Sequence, residues 1–273
     1  MLKDITLGQY YPTESALHRA DPRVKLLLAM VYIVSLFLIK SVWGFILAIG
    51  AMLVCTFMAR IPLKTMLKGI KAVLFILIFT AIINVFWTKG ENLLFSWKFI
   101  NIYAEGIYTA IFVALRIVLL IMGTGLFLTY TTTPIMLTNG LESVLSPLKI
   151  FKVQVHEFAM MMSTALRFIP SLMEDTDKIM DAQKARGASF SNGGLIAKAK
   201  ALIPILIPLF VCAFKRADDL SIAMECRCYR GGKGRTKMTV MKLRASDIMW
   251  CVVAAVFVAG IVLLNTLPAP FKL

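Results

Sequence analysis

Five long apolar runs divide this chain, and they leave it few folds to choose from. They are Val24–Ile39, Val42–Ala59, Ala72–Trp87, Ile107–Thr131 and Ile248–Asn265. A helix crossing a bilayer needs roughly 17–25 mainly apolar residues at about 1.5 Å each. The first and third runs are a little short, so flanking residues must contribute or the bilayer must thin locally. Composition agrees: 59% of the 273 residues are hydrophobic, only 16% are charged, and mean hydropathy is +0.79. The membrane, not water, is the solvent for most of this chain. The expected fold class is an all-α polytopic membrane protein. It has about five transmembrane helices, plus a cytoplasmic pair of long helices between the fourth and fifth spans.

Lys and Arg number 30 against 15 Asp and Glu. In a membrane protein such an excess reports the positive-inside rule and attraction to anionic lipid. No nucleic-acid-binding motif accompanies it, so a nucleic-acid partner is not expected. The basic residues fall in alternate connections. Lys3, Arg19 and Arg23 precede the first span, and Arg60, Lys64, Lys68 and Lys71 follow the second. The segment from Thr132 to Asp247 carries seventeen. The other connections carry Lys40, then Lys89 and Lys98, and the tail has only Lys272. Every basic segment falls on one side if the N-terminus is cytoplasmic and the C-terminus outside. The expected organisation is therefore 1–131, four spans; 132–247, a cytoplasmic region; 248–273, the last span and tail. The opening stretch lacks the apolar core and cleavage site of a signal peptide.

The 132–247 segment is too long for a connector. A short amphipathic helix is expected from near Pro134 to near Pro147, then a long helix from Gln154 to Arg186, kinked at Pro170 and stopped by Gly187. Ser191–Gly194 reads as a turn. A second long helix follows over Leu195–Cys228, with kinks at Pro204 and Pro208. Each long helix would measure on the order of 45–50 Å, with an apolar half and a charged half, and the pair is expected along the cytoplasmic face. A shallow re-entrant hairpin is the alternative for the second.

Both long helices end on an arginine between two small residues: Ala185-Arg186-Gly187 and Cys226-Arg227-Cys228. An arginine at a helix C-terminus complements the macrodipole, worth about 0.3–1 kcal/mol. Two features favour more than that. Small neighbours let another surface approach closely, and the arrangement occurs twice. A guanidinium is a planar fork that grips a carboxylate with two hydrogen bonds, so the two ends read as plugs for two sockets on partners.

Enzyme chemistry finds little support. Gly231-Gly232-Lys233-Gly234 is not a phosphate-binding loop, because Gly follows the lysine where Ser or Thr is needed. His18 and His156 are far apart and neither neighbours a Ser or Cys nucleophile. The Cys226-x-Cys228 pair lacks further metal ligands nearby, and Cys55, Cys212 and Cys251 fall in apolar stretches. The acidic cluster Glu174–Asp177 spreads around a helix and reads as a solvated surface. Arg116 lies inside the fourth span, where a charge is costly and is expected to face protein. Glu105 and Asn84 are loose candidates for its partner. Sixteen methionines include the run Met160-Met161-Met162. Flexible, polarisable side chains of this kind suit a surface that repacks against several partners, as well as ordinary packing.

The two triplets resemble the paired Ala-Arg-Gly signatures of the transmembrane T component of energy-coupling factor (ECF) transporters, which are ABC-type importers. The first triplet matches fully; the second keeps Arg227 with cysteines at the small positions. Ala223–Met238 and the stretch Gly8–Leu27, with "DPRVKL" before the first span, are also similar to that family. The resemblance implies a non-catalytic scaffold joining two ABC ATPases to a small substrate-binding membrane protein, the S component. It implies docking of the ATPases by Ala185, Arg186, Gly187, Cys226, Arg227 and Cys228, and S-component contact near Met160, Met161 and Met162. No cofactor is expected in this chain, since the partners bind the ATP. The ending of the 132–247 segment looks like the shared vitamin-type modules, whose S components interchange. A conventional ABC permease or a self-sufficient secondary transporter is the rival reading. The long double-helix insert argues against the first. The absence of repeats and of acids within the spans argues against the second.

Overall fold

The structure, a computed structural model, describes residues 10–88, 93–97, 100–188, 194–232 and 244–266. The turn expected at 191–193, the glycine-rich stretch from 233, Lys3, Lys89, Lys98 and Lys272 lie outside the described residues. The described residues form two compact units, one from Gly8–Leu141 with Val240–Leu273 and one from Glu142–Thr239.

The first unit holds the apolar helices. They are α1 (Pro22–Leu38), α2 (Val42–Ala59), α3 (Leu63–Lys71), α4 (Leu74–Trp87), α5 (Ala104–Thr124) and, near the C-terminus, α9 (Ala245–Thr266). α5 widens into π-helix over Gly125–Tyr130. Three helices are long and apolar enough to cross a bilayer: α2, α5 with its π continuation, and α9. The third expected crossing corresponds to α4, which passes the same test only together with α3, the two helices meeting at 66°. By itself α4 has only 14 residues. The first, α1, has 17 residues, at the lower limit for a span. An antiparallel hairpin, β1 (Leu93–Trp97) with β2 (Ile100–Tyr103), joins α4 to α5, which the apolar periodicity did not announce.

Hydrogen bonds at the helix ends, several of them from side chains, tie the turns of this unit together. Asp21 caps α1 by accepting from the Arg23 N–H at 2.9 Å, and Pro22 fills the first helical position. Thr13 donates to the Ala59 carbonyl at the end of α2, and the Tyr11 N–H donates to the Tyr130 carbonyl at the end of the π segment. Asp247, 1% exposed, accepts from the Arg244 and Asp21 N–H groups. One face of the unit therefore gathers the starts of α1 and α9 and the ends of α2 and the π segment. The opposite face gathers the α1–α2 turn and the end of α9. There Asn265 donates to the Leu38 carbonyl at 2.7 Å and accepts from the Lys40 N–H, and Ser41 donates to the Leu264 carbonyl. Helices α1, α2, α5 with its π continuation, and α9 thus place their ends on these two faces.

Two charged side chains are held by backbone carbonyls. Lys25, in the first turn of α1 where a basic residue ordinarily reaches the lipid headgroups, is 2% exposed and donates to the carbonyls of His18 (3.1 Å) and Thr131 (2.8 Å). An ammonium buried this deeply needs such acceptors. Arg116 pairs with neither Glu105 nor Asn84. Its guanidinium donates to the Ile39 carbonyl at 2.9 Å and lies 5.6 Å from the Phe45 ring centre. It thereby satisfies the orphan carbonyls at the end of α1, level with Lys40, Ser41 and Asn265 rather than deep in hydrocarbon. α5 runs on for twelve residues, about 18 Å, towards the hairpin.

The second unit carries the end of α6 (Pro134–Val144), a 3₁₀ turn over Ser146–Phe151, α7 (Val155–Ala185) and α8 (Leu195–Cys226). α7 and α8 fall within one residue of the expected starts and within two of the expected ends. They are the longest helices described, and neither is among those apolar enough to span.

Candidate functional site

The two arginine triplets fold into the same structure. Arg186 is the C-cap of α7, with φ −84° and ψ 7°. Gly187 follows in the left-handed region at φ +88°. Its N–H donates to the Lys184 carbonyl at 2.9 Å, and the Ala188 N–H donates to that of Gln183 at 3.0 Å. Arg227 is the C-cap of α8, with φ −92° and ψ 15°. Cys228 follows at φ +52°, its N–H donating to the Glu225 carbonyl at 2.8 Å, and the Tyr229 N–H to that of Met224 at 3.1 Å. Both are Schellman endings, in which two N–H groups beyond the helix close back onto its last carbonyls. The triplet has a backbone logic: a residue inside the helix, an arginine on the rim, and a residue forced left-handed. Glycine suits the last position, whereas cysteine there is strained by about 1–2 kcal/mol.

Both guanidinium groups are bare. Arg186 and Arg227 are exposed, as are Ala185, Gly187, Cys226 and Cys228. Among the described residues neither arginine makes an ion pair or a side-chain hydrogen bond. Nor does any such bond join the two triplets. Capping by the arginine side chain is therefore not what closes these helices; backbone N–H groups do that.

The helices meet part-way along. Arg216 of α8 donates to Asp175 of α7 at 2.7 Å and to the Ser171 hydroxyl, and lies 5.7 Å from the Phe168 ring centre. Sequence reasoning placed Asp175 on a solvated surface and missed this clamp. The only signal was an arginine at the boundary between the apolar and charged halves of one helix, with an acid at the same boundary of the other. Arg186 lies eleven residues beyond Asp175, and Arg227 eleven beyond Arg216. Each cap thus projects about 16 Å past the clamp. The projection is in opposite directions. A Cβ on Gly232, just beyond α8, would stand 2.6 Å from Cδ2 of His156 in the first turn of α7. The end of α8 therefore lies near the start of α7, and the two arginines are roughly 30 Å apart.

Nearer the start of α7, Met161 and Met162 are exposed and Met160 is half-buried, beside an exposed Phe158. α8 bares Leu206, Ile207, Phe210, Val211 and Phe214, each at least half exposed. His156 pairs with Glu142 at 3.1 Å across the α6–α7 connection. Among the described residues no cluster of three metal-ligating side chains occurs.

A unit of apolar helices, three of them long enough to cross a bilayer, and a second unit that ends two long helices in arginine caps of the same backbone form define a multi-pass membrane protein. A family model described as "Cobalt transport protein" (CbiQ) matches residues 13–238. A protein named energy-coupling factor transporter transmembrane protein EcfT from Ruminiclostridium cellulolyticum is 49% identical over 265 residues, 97% of this chain and 98% of its own. Proteins of the same name from Clostridium kluyveri (50% over 259 residues; 94% and 96%) and Lactococcus lactis subsp. cremoris (43% over 246; 90% and 92%) are similar over nearly full length. The chain belongs to the EcfT family, the energy-coupling transmembrane components of ECF transporters.

Proposed function

We propose that this chain carries ATP-driven motion from two ABC ATPase subunits, unlike one another in sequence, to a substrate-binding S component of a vitamin-type importer. The observation that carries the proposal is the repeated arginine cap, bare at two places about 30 Å apart. One compact partner pocket cannot take both; two separate subunits can. Arg186 with Ala185 and Gly187 plugs one socket, and Arg227 with Cys226 and Cys228 plugs the other, each guanidinium gripping a carboxylate. Closure of the ATPases on nucleotide moves the sockets. The Arg216–Asp175 clamp is the pivot between the two arms. The S component rests on the apolar surface that includes Met160–Met162 and the bare side chains of α8. One S component binds at a time, and the soft methionine surface lets several interchange.

Within that reading ATP is bound and hydrolysed by the partners, and this chain holds no cofactor. The 132–247 region lies on the cytoplasmic side of a prokaryotic plasma membrane with the N-terminus, and the C-terminus lies outside. The test is to tag the chain, extract it in mild detergent from its own host and weigh its companions. Two ABC ATPases with one or several small membrane proteins support the proposal. A chain that purifies alone and moves solute when reconstituted alone contradicts it.

A further inference from the structure

We propose that the junction of α2 and α3 is a binding site for one anionic phospholipid. The residues there do two jobs at once. An open groove of about 580 Å³ lies along the end of α2, walled by Leu53, Val54, Phe57, Met58 and Leu63. Its walls are almost wholly apolar, and Phe57 is 87% exposed. On a span, such a groove faces lipid tails. Arg60, in the link after α2, and Lys64, in the first turn of α3, are the chain neighbours of its lining residues Ile61 and Leu63.

α3 sits at the membrane surface by its own pattern. It leaves the axis of α4 at 66°. Met66 and Ile70 are buried, Leu63 and Leu67 are exposed on the flank, and Lys64, Lys68 and Lys71 recur at helical spacing on another face. That is an interfacial helix with cations at headgroup level. Tyr130 holds it down, its hydroxyl donating to the Thr65 carbonyl at 3.3 Å. Among the described residues, Arg60, Lys64, Lys68 and Lys71 make no ion pair or side-chain hydrogen bond, and all four are exposed. Arg60 also holds the left-handed conformation (φ +55°) that closes α2, its N–H donating to the Phe57 carbonyl at 3.1 Å. Glycine would close the helix at less strain. An arginine there points to a use for the charge.

The occupant is a phospholipid rather than a free anion because the cations adjoin the groove's lining residues in the chain: one acyl chain lies against Leu53, Val54 and Phe57 while the phosphate meets Arg60 and Lys64. A zwitterionic lipid offers the same tail but carries its own cation to the site, so net negative charge is selected.

The experiment is native mass spectrometry of the full chain released from detergent after incubation with phosphatidylglycerol or phosphatidylcholine of identical chains. The expected result is one phosphatidylglycerol retained at least about tenfold better than phosphatidylcholine. Arg60→Asn with Lys64→Gln should lose that preference, asparagine being tolerant of the left-handed backbone. Arg60→Lys should keep it, as should Lys40→Gln on the opposite face. Val54→Trp, which fills the groove but leaves the cations, should lose phosphatidylglycerol about tenfold. Equal retention of the two lipids overturns the proposal. So does an unchanged preference in the Arg60→Asn/Lys64→Gln protein, retention by Val54→Trp, or displacement of the lipid by inorganic phosphate.

Discussion

Among the described residues, the exposed side chains of Arg186 and Arg227 make no ion pair or hydrogen bond. Replacing either with alanine should shift thermal unfolding by less than about 0.5 kcal/mol, the usual range for an exposed side chain without a partner. The same substitution should strip one ATPase from the purified complex. Lysine should fail as well, because a point charge lacks the planar fork. The residue after each arginine behaves the other way. Cys228→Gly should stabilise the end of α8 by about 1 kcal/mol, and Gly187→Ala should weaken the end of α7 by a similar amount, both read from thermal unfolding. His18 adds a pH dependence. Partial burial lowers its pKa below the usual 6.5, against a hydrogen bond to the Tyr11 carbonyl that opposes the shift. A histidine whose folded pKa is depressed leaves stability intact above the unfolded value and erodes it as pH falls through the folded one. Unfolding temperature should therefore drop as pH falls through and below the usual histidine value of about 6.5, and drop less in His18→Gln. The small-Arg-small triplets were legible in the sequence because a Schellman ending is local. Lys25 and Arg116 were not, because their acceptors, the carbonyls of Thr131 and Ile39, lie 106 and 77 residues away.

At the scale of elements, the α7–α8 clamp makes a prediction distinct from that of the caps. Arg216 is partly buried against Asp175 and Ser171, so Arg216→Ala should cost about 1–2 kcal/mol. Both ATPases should still bind, since the caps are untouched. Uptake should fall while nucleotide hydrolysis persists, because the two arms no longer turn about one point. Co-purification, ATPase rate and uptake measured side by side separate this outcome from loss of docking. The sequence showed the extent of both long helices to within two residues, since apolar period, Pro and Gly punctuation and caps agree there. It placed the third span where α4 lies, to within two residues. It missed that the preceding Lys64, Lys68 and Lys71 belong to α3, a helix bent by 66° from α4, rather than to a loop. The β hairpin before α5 escaped for a similar reason: two short strands in a connection leave too little alternation to notice.

For the whole molecule, the apolar helices build one face from the starts of α1 and α9 and another from the α1–α2 turn and the end of α9. The buried Lys25, held by carbonyls from two segments with Asp21 and Asp247 close by in the same cap network, ties the first of these faces together. Lys25→Met leaves those acceptors unpaired and should destabilise the protein by about 3 kcal/mol, seen as a loss of monodisperse protein on gel filtration in mild detergent. The routes of the connections were not legible in the sequence, because they depend on which caps meet. The central claim is that two arginine caps receive the work of two ATPases. It is tested most directly by ATP-driven vitamin uptake into proteoliposomes containing the complete complex with Arg186→Ala and Arg227→Ala together. The account predicts that uptake falls to the level seen without ATP while the membrane subunits stay folded. Uptake at the unmodified rate would contradict it.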